Sequence, residues 1–165
     1  AEAFYKNVFF PECEKRGIKQ ILHLGDYYDH RKFVNFKALN HNRRVFLDQL
    51  RKRGMSMDII PGNHDTYYKN TNELNSLKEC LGHYMNEVNI VMEPKVMKYG
   101  SLNVGLVPWI CNDNYEQCMN FIRDCKADWI GAHLELKGFE MMRGLTNTHG
   151  MSPDIFFLSF FQTLI

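Results

Sequence analysis

The chain alternates between two periods of apolar spacing, and the changes mark a series of helices and strands. Ala1-Glu2-Ala3-Phe4 carries no N-cap and reads as the interior of a helix that continues through Phe9 to Lys15 and stops at Gly17. Lys19 to Leu24 is a short apolar strand that ends at Gly25-Asp26. From Asn35 to Arg53, Phe36, Leu39, Val45, Phe46 and Leu50 fall at helical spacing, closed by Gly54. Met57 to Ile60 is the next strand, running into Pro61-Gly62-Asn63-His64-Asp65. Glu73 to Leu81 predicts a short helix stopped by Gly82, followed by strands at Ile90 to Met92, Val96 to Tyr99 and Leu102 to Val107. Tyr115 to Cys125 predicts a helix, and Trp129 to His133 a strand that opens into a loop.

Strands alternating with helices of this length predict an α/β layered fold, a mixed sheet arrangement flanked by helices. The stretch Val96 to Val107, turning at Gly100-Ser101, predicts that part of the sheet is antiparallel. No repeat or low-complexity linker interrupts the pattern, so residues 1–165 are read as one partial domain. The helix without a start and the apolar stretch Phe156 to Phe161 both suggest truncation at the two ends, since termini are normally solvated.

Composition narrows the picture only a little. Apolar residues make up 45% and charged residues 24%, the balance of a soluble globular protein. Twenty Lys and Arg oppose 19 Asp and Glu, so net charge selects no partner and nucleic-acid binding needs a local argument. The five cysteines, Cys13, Cys80, Cys111, Cys118 and Cys125, are odd in number and lack C-x-x-C spacing, which predicts reduced thiols and a cytoplasmic protein. There is no signal peptide, and the longest apolar run, Ile155 to Phe161, is far short of the roughly 20 residues of a membrane span.

The chemistry stands in three polar clusters placed directly after apolar strands: Gly25-Asp26-Tyr27-Tyr28-Asp29, Gly62-Asn63-His64-Asp65 and Gly131-Ala132-His133. Ligands of layered α/β folds collect beyond the carboxyl ends of strands, so the three loops can meet in one crevice. Asp, Asn and His are hard or borderline ligands suited to Mn, Fe, Zn or Mg, and no thiolate is among them. Each cluster alone carries a plainer reading. Gly-Asp after a strand is commonly a turn, and a lone His at a strand end is commonly a hydrogen-bonded structural residue. Asp65 is equally a cap for the segment that follows or a support for the ligands.

Taken together and in this order, the clusters resemble the calcineurin-like metallophosphoesterase superfamily, whose motifs run Asp-x-His, Gly-Asp-x-x-Asp, Gly-Asn-His-Asp/Glu, a single His, and Gly-His-x-His. Gly25 to Asp29 matches the second, Gly62 to Asp65 the third and His133 the fourth. The resemblance implies that Asp26 bridges two divalent metal ions, that Asn63 and His133 ligate the second, and that His64 is the general acid, oriented by Asp29. The chemistry is coherent: two such ions share a carboxylate and supply hydroxide near neutral pH, and an imidazole paired to a carboxylate gives the departing alkoxide its proton.

The flanking residues are similar to one branch, the SbcD-like double-strand-break repair nucleases in their T-even-type phage recombination form. The likeness runs through Gly25 to Lys32, Gly62 to Asn70, Val107 to Cys111, His133 to Phe139 and Thr148 to Asp154. It implies a Mn-dependent DNA exo- and endonuclease, with Mg, Fe or Zn open as the ion. The implied partners are DNA, an SbcC-type coiled-coil ATPase subunit and a second copy of the chain. Arg31 and Lys32 are candidates to steady DNA phosphates, or else a solvated loop. Tyr67 and Tyr68 either stack on bases or pack under the loop. His149 is a further candidate for the crevice, and Trp109 is expected in the core.

Two departures count against a working site in this stretch of chain. The Asp-x-His motif is missing before the first helix, and Gly-His-x-His is missing after Asp154. The expectation is an incomplete metal site, with weak or no metal binding and no useful turnover. Two alternatives remain: a metallophosphoesterase on a non-DNA phosphate ester, or a non-catalytic subunit that binds DNA or an ATPase. His30 after Asp29, where phosphoprotein phosphatases carry Arg-Gly, argues against that branch; intact Asp26, Asn63, His64 and His133 argue against lost catalysis.

Overall fold

A computed structural model describes residues 2–155 of the chain. The stop signals at Gly17 and Gly54 act where expected. The first helix, α1 (residues 2–15), contains one π turn at Tyr5–Phe9 and closes with Gly17 in the left-handed region (φ 67°), where Ile18 N–H donates to the Cys13 carbonyl at 2.9 Å. Helix α2 (residues 36–53) begins under Asn35, whose Oδ1 accepts from Lys37 N and Ala38 N, and ends at left-handed Gly54 (φ 56°). Helix α3 (Ser76–Leu81) starts later than the sequence predicts. Asn75 is its cap, accepting from Lys78 N, and residues before it are spent on a turn in which Asn75 Nδ2 donates to the Asn72 carbonyl.

Strands β1 (Gln20–His23), β2 (Ser56–Ile59) and β3 (Val88–Ile90) form one parallel sheet in that order. A second sheet holds β4 (Lys95–Tyr99), β5 (Leu102–Val107) and β6 (Trp129–Ala132); β4 and β5 are the antiparallel hairpin, and β6 runs parallel to β5 after helix α4 (Tyr115–Asp124). A small hairpin of β7 (Glu140–Met142) and β8 (Leu145–Thr146), turning at left-handed Gly144, was not foreseen.

Period-two alternation decides which side of each strand faces which layer. Met57 and Ile59 join Phe10, Phe46, Leu47 and Leu50 in the core beneath α1 and α2. Ile60 and Leu22 join Val104 and Leu106 between the two sheets. The outer face of the second sheet is covered by Cys118 and Ile122 of α4, packed with Val107 and Ile130. The layers are therefore helix, sheet, sheet, helix. The α/β class is as expected, with its strands divided between one parallel sheet and one mixed sheet.

One ionisable group lies between the sheets where the apolar strand pattern gave no warning. Asp58 is buried, and its carboxylate accepts from Asn89 Nδ2 at 2.5 Å and Tyr99 OH at 2.8 Å. A buried carboxylate is tolerable only with such donors. Cys13, Cys111 and Cys118 are buried free thiols, while Cys80 and Cys125 are half-buried. Cys125 falls just past the end of α4. Beyond Ile155, the apolar run that suggested truncation lies outside the described residues. Among those described, no helix is long and apolar enough to cross a membrane.

Candidate functional site

The parallel pair β1 and β2 ends at His23 and Ile59, and β6 of the facing sheet ends at Ala132. The three loops that follow meet at one edge of the two-sheet core. Two glycines bring the first two loops into backbone contact. A Cβ on Gly25 (φ 93°) would lie 2.6 Å from Gly62 N and 2.8 Å from His133 Nδ1. A Cβ on Gly62 would run into the Asp26 carboxylate and main chain. Asp26 itself takes a left-handed conformation (φ 54°), one that Asp tolerates better than most residues. Its Oδ1 accepts from His64 N–H at 2.9 Å.

Asp65 ties these loops together. It is fully buried; Oδ1 accepts from Tyr27 N (2.9 Å), Tyr28 N (3.2 Å) and Ser76 Oγ (3.4 Å), and Oδ2 accepts from Gly62 N (2.9 Å). Burial pushes its carboxyl above the usual carboxylate range, against the opposing pull of the Gly62 and Tyr28 amides. Of the two roles open for Asp65, the structure shows a loop tie that supports the backbone around Asp26.

His133 reaches back from β6. Its Nδ1 is 2.8 Å from the Leu24 carbonyl, a bond that requires the proton on Nδ1. In the neutral ring Nε2 then carries a lone pair, and it faces Asn63 Oδ1 at 3.1 Å and Asp26 Oδ1 at 3.5 Å. The Asn63 amide is oriented by its other end, where Nδ2 donates to Glu135 Oε1 at 3.0 Å. Three acceptor atoms thus converge, an arrangement that calls for a positive charge among them, either a proton on Nε2 or a cation. One carboxylate oxygen, one amide oxygen and one imidazole nitrogen suit a borderline-hard divalent ion. Among the described residues no three His, Cys, Asp or Glu side chains group as a metal site; Asn63 is the third donor here.

His64 is exposed, with Nδ1 2.8 Å from an oxygen of Asp29. That oxygen is the main-chain carbonyl, which corrects the expected carboxylate pairing. The Asp29 side chain points to solvent, 89% exposed, with Oδ2 3.5 Å from His30 Nε2. The loop delivers its backbone to His64 because Tyr27 and Tyr28 are held down by Asp65.

Of the outer candidates, Arg31 is half-buried, and its Nη1 donates to the Thr66 carbonyl and hydroxyl and to the Tyr68 carbonyl at 3.2–3.4 Å. It clamps the first loop to the second, so its guanidinium is engaged with protein. Lys32 is exposed, its Nζ 5.9 Å from the Tyr67 ring centre. Tyr67 and Tyr68 stand edge to face, 38% and 51% exposed, and are not packed under the loop. With Phe33 and Phe36 they present aromatic surface beside the site. His149 is exposed, and among the described residues no contact joins its ring to Asp26, Asn63 or His133. Trp109, expected in the core, is half-buried, its ring steeply inclined (73°) to that of His133 with centres 6.1 Å apart.

Glu135 and His23 were missed in the sequence. Glu135 follows His133 by two residues, a spacing that carried a signal only once His133 was placed. His23 ends β1 beneath the loops, stacks edge-on to Tyr27 at 5.3 Å, and has a buried Nδ1 without a partner. Burial holds its pKa below the ordinary value, although Asp65 and Asp26 pull it the other way.

No protein-family model matches the chain. Over 141 residues it is 31% identical to exonuclease subunit 1 of Enterobacteria phage T4. The match takes in 86% of this chain but 41% of that relative, so the chain, similar to a phage nuclease subunit through most of its own length, spans about two fifths of the relative's.

Proposed function

We propose that the chain carries part of the active site of a metal-dependent phosphodiesterase acting on DNA. The observation that bears most weight is the meeting of Asn63 Oδ1 and Asp26 Oδ1 at His133 Nε2, 3.1 Å and 3.5 Å away, on an imidazole whose Nδ1 is taken up by the Leu24 carbonyl. Asp26, Asn63 and His133 would hold a divalent ion, Mn first among the candidates, with Asp26 shared by a second. Bound ions of this kind lower the pKa of a water and offset the charge of a phosphate ester.

The chain's own residues contribute the rest. His133 keeps Nε2 free for the ion because Leu24 accepts the Nδ1 proton. Asp26 is kept in place by the His64 amide and by the close approach of Gly62. His64 Nδ1 donates to the Asp29 carbonyl, which leaves Nε2 to deliver a proton to the leaving oxygen when the ring is charged. Lys32 and the rings of Tyr67 and Tyr68 offer charge and stacking surface to a nucleic-acid strand. DNA as the substrate, rather than another phosphate ester, is supported by the similarity to a phage exonuclease subunit.

The word subunit in that name also supports partners, for which we propose a second copy and an SbcC-type ATPase. An exposed apolar groove of about 260 Å³ beside the site, rimmed by Phe33, Phe36 and Leu74, is surface of the kind that marks interfaces. The test of the reaction is Mn-dependent digestion of linear duplex and single-stranded DNA by the protein in its full reading frame, beside His64→Ala. Cleavage lost in the variant with Mn binding kept supports the reading. Equal cleavage by both refutes the acid role, and no cleavage by the unaltered protein refutes the substrate.

A further inference from the structure

We infer that Glu135 is a positioning residue for the cation site, acting through Asn63, and that the segment 147–151 exists in its present form to hold Glu135 in place. The inference rests on the cation reading above. An Asn amide has two ends of nearly equal size, and only one of them can face a cation. If the Asn63 amide turned over, its NH2 group would point at Asp26 and His133 and repel an incoming ion. Glu135 removes that choice. A carboxylate only accepts, and Oε1 lies 3.0 Å from Asn63 Nδ2, so the oxygen end is directed toward His133 Nε2 at 3.1 Å.

The place of Glu135 is set by its main chain. Met151 N–H donates to the Glu135 carbonyl at 2.8 Å, and Lys137 N–H donates to the Met151 carbonyl at 2.9 Å, a parallel bridge centred on Leu136 and Met151. Gly150 lies flat against this stretch. A Cβ there would stand 2.5 Å from Glu135 O and 2.7 Å from Lys137 N, so only glycine allows the approach. Asn147 shapes the turn before it, its Oδ1 accepting from His149 N at 3.0 Å and Gly150 N at 3.1 Å. The Thr148 to Met151 stretch, which the reaction itself does not use, thereby gains a task. It is a brace behind the residue that aims Asn63.

Mn binding to the protein in its full reading frame, read by loss of the free Mn electron-spin signal, tests this directly. Glu135→Ala is expected to weaken Mn binding about tenfold or more, while Glu135→Gln, which keeps an acceptor oxygen, restores most of it. Gly150→Ala is expected to weaken binding in the same way with all ligands present. In an Asn63→Ala background, Glu135→Ala should add little, because the amide that it orients is gone. Unchanged melting temperatures in the Glu135 variants separate positioning from general damage. If Glu135→Ala and Glu135→Gln weaken binding equally, or if the Glu135 effect persists undiminished without Asn63, the positioning role is overturned. Absence of Mn binding by the unaltered protein, or equal binding by Asp26→Asn, instead refutes the cation site and the role of Glu135 with it.

Discussion

Gly62 faces Asp26 with no room for a methyl group between them, since a Cβ on Gly62 would occupy the space of the Asp26 carboxylate and main chain. Asp26 itself is left-handed at this contact (φ 54°). Gly62→Ala should therefore push the loops apart, costing about 1–3 kcal/mol of stability by overpacking. Mn binding should fall much further than stability does. Paired thermal melts and Mn titrations check this; a variant that binds like the unaltered protein would show that the close approach is incidental.

Asp65 offers the sharpest stability test. Asp65→Ala leaves the buried amides of Gly62 and Tyr28, and the part-buried amide of Tyr27, without their acceptor. Each stranded buried donor costs about 1–3 kcal/mol, so a total of roughly 3 kcal/mol or more is expected. Asp65→Asn, with one acceptor oxygen left, should fall between the two. Chemical denaturation of the three proteins measures the order directly.

The geometry around His64 separates two residues that the resemblance pairs as acid and orienting carboxylate. His64 meets the main-chain carbonyl of Asp29, and the Asp29 carboxylate is exposed. Asp29→Ala keeps that carbonyl, so in the DNA-digestion test of the proposed reaction it should reduce cleavage far less than His64→Ala. Loss of about a hundredfold or more is expected for removing the acid. Equal losses in the two variants would mean that the carboxylate swings onto the imidazole during the reaction.

His23 is expected to make stability depend on pH. Burial lowers its pKa below the ordinary 6.5, so the folded state resists charging while the unfolded chain does not. A group with a depressed folded pKa contributes stability that is fully present above the unfolded value. That contribution is lost as pH falls through 6.5 toward the folded value. Melting temperature should drop on this acid side, and His23→Leu should flatten the slope. An unchanged slope in His23→Leu would assign it to other groups.

The helix ends were legible because their signals are local. Gly17 and Gly54 take the left-handed turn that follows a helix, and Asn35 caps the next one with its own side chain. The convergence of Asp26, Asn63 and His133 was legible for a different reason: each stands just past a strand, and strand ends of a layered α/β protein share an edge. What could not be read was the partner of each polar atom. Asp29 offered a carboxylate and a carbonyl to His64, and only the path of the backbone selected the carbonyl.

By itself, then, the sequence determined the α/β class, the order of the main elements and the three loops that carry the polar side chains, because period, caps and turns act over a few residues. The tertiary structure alone decided that Asp65 ties loops rather than capping a helix, that Arg31 is turned onto Thr66 and Tyr68, and that Glu135 reaches Asn63 across 72 positions of chain. Those contacts depend on how two sheets pack face to face. Hydrogen bonds between residues far apart in the chain have no period for a sequence pattern to show.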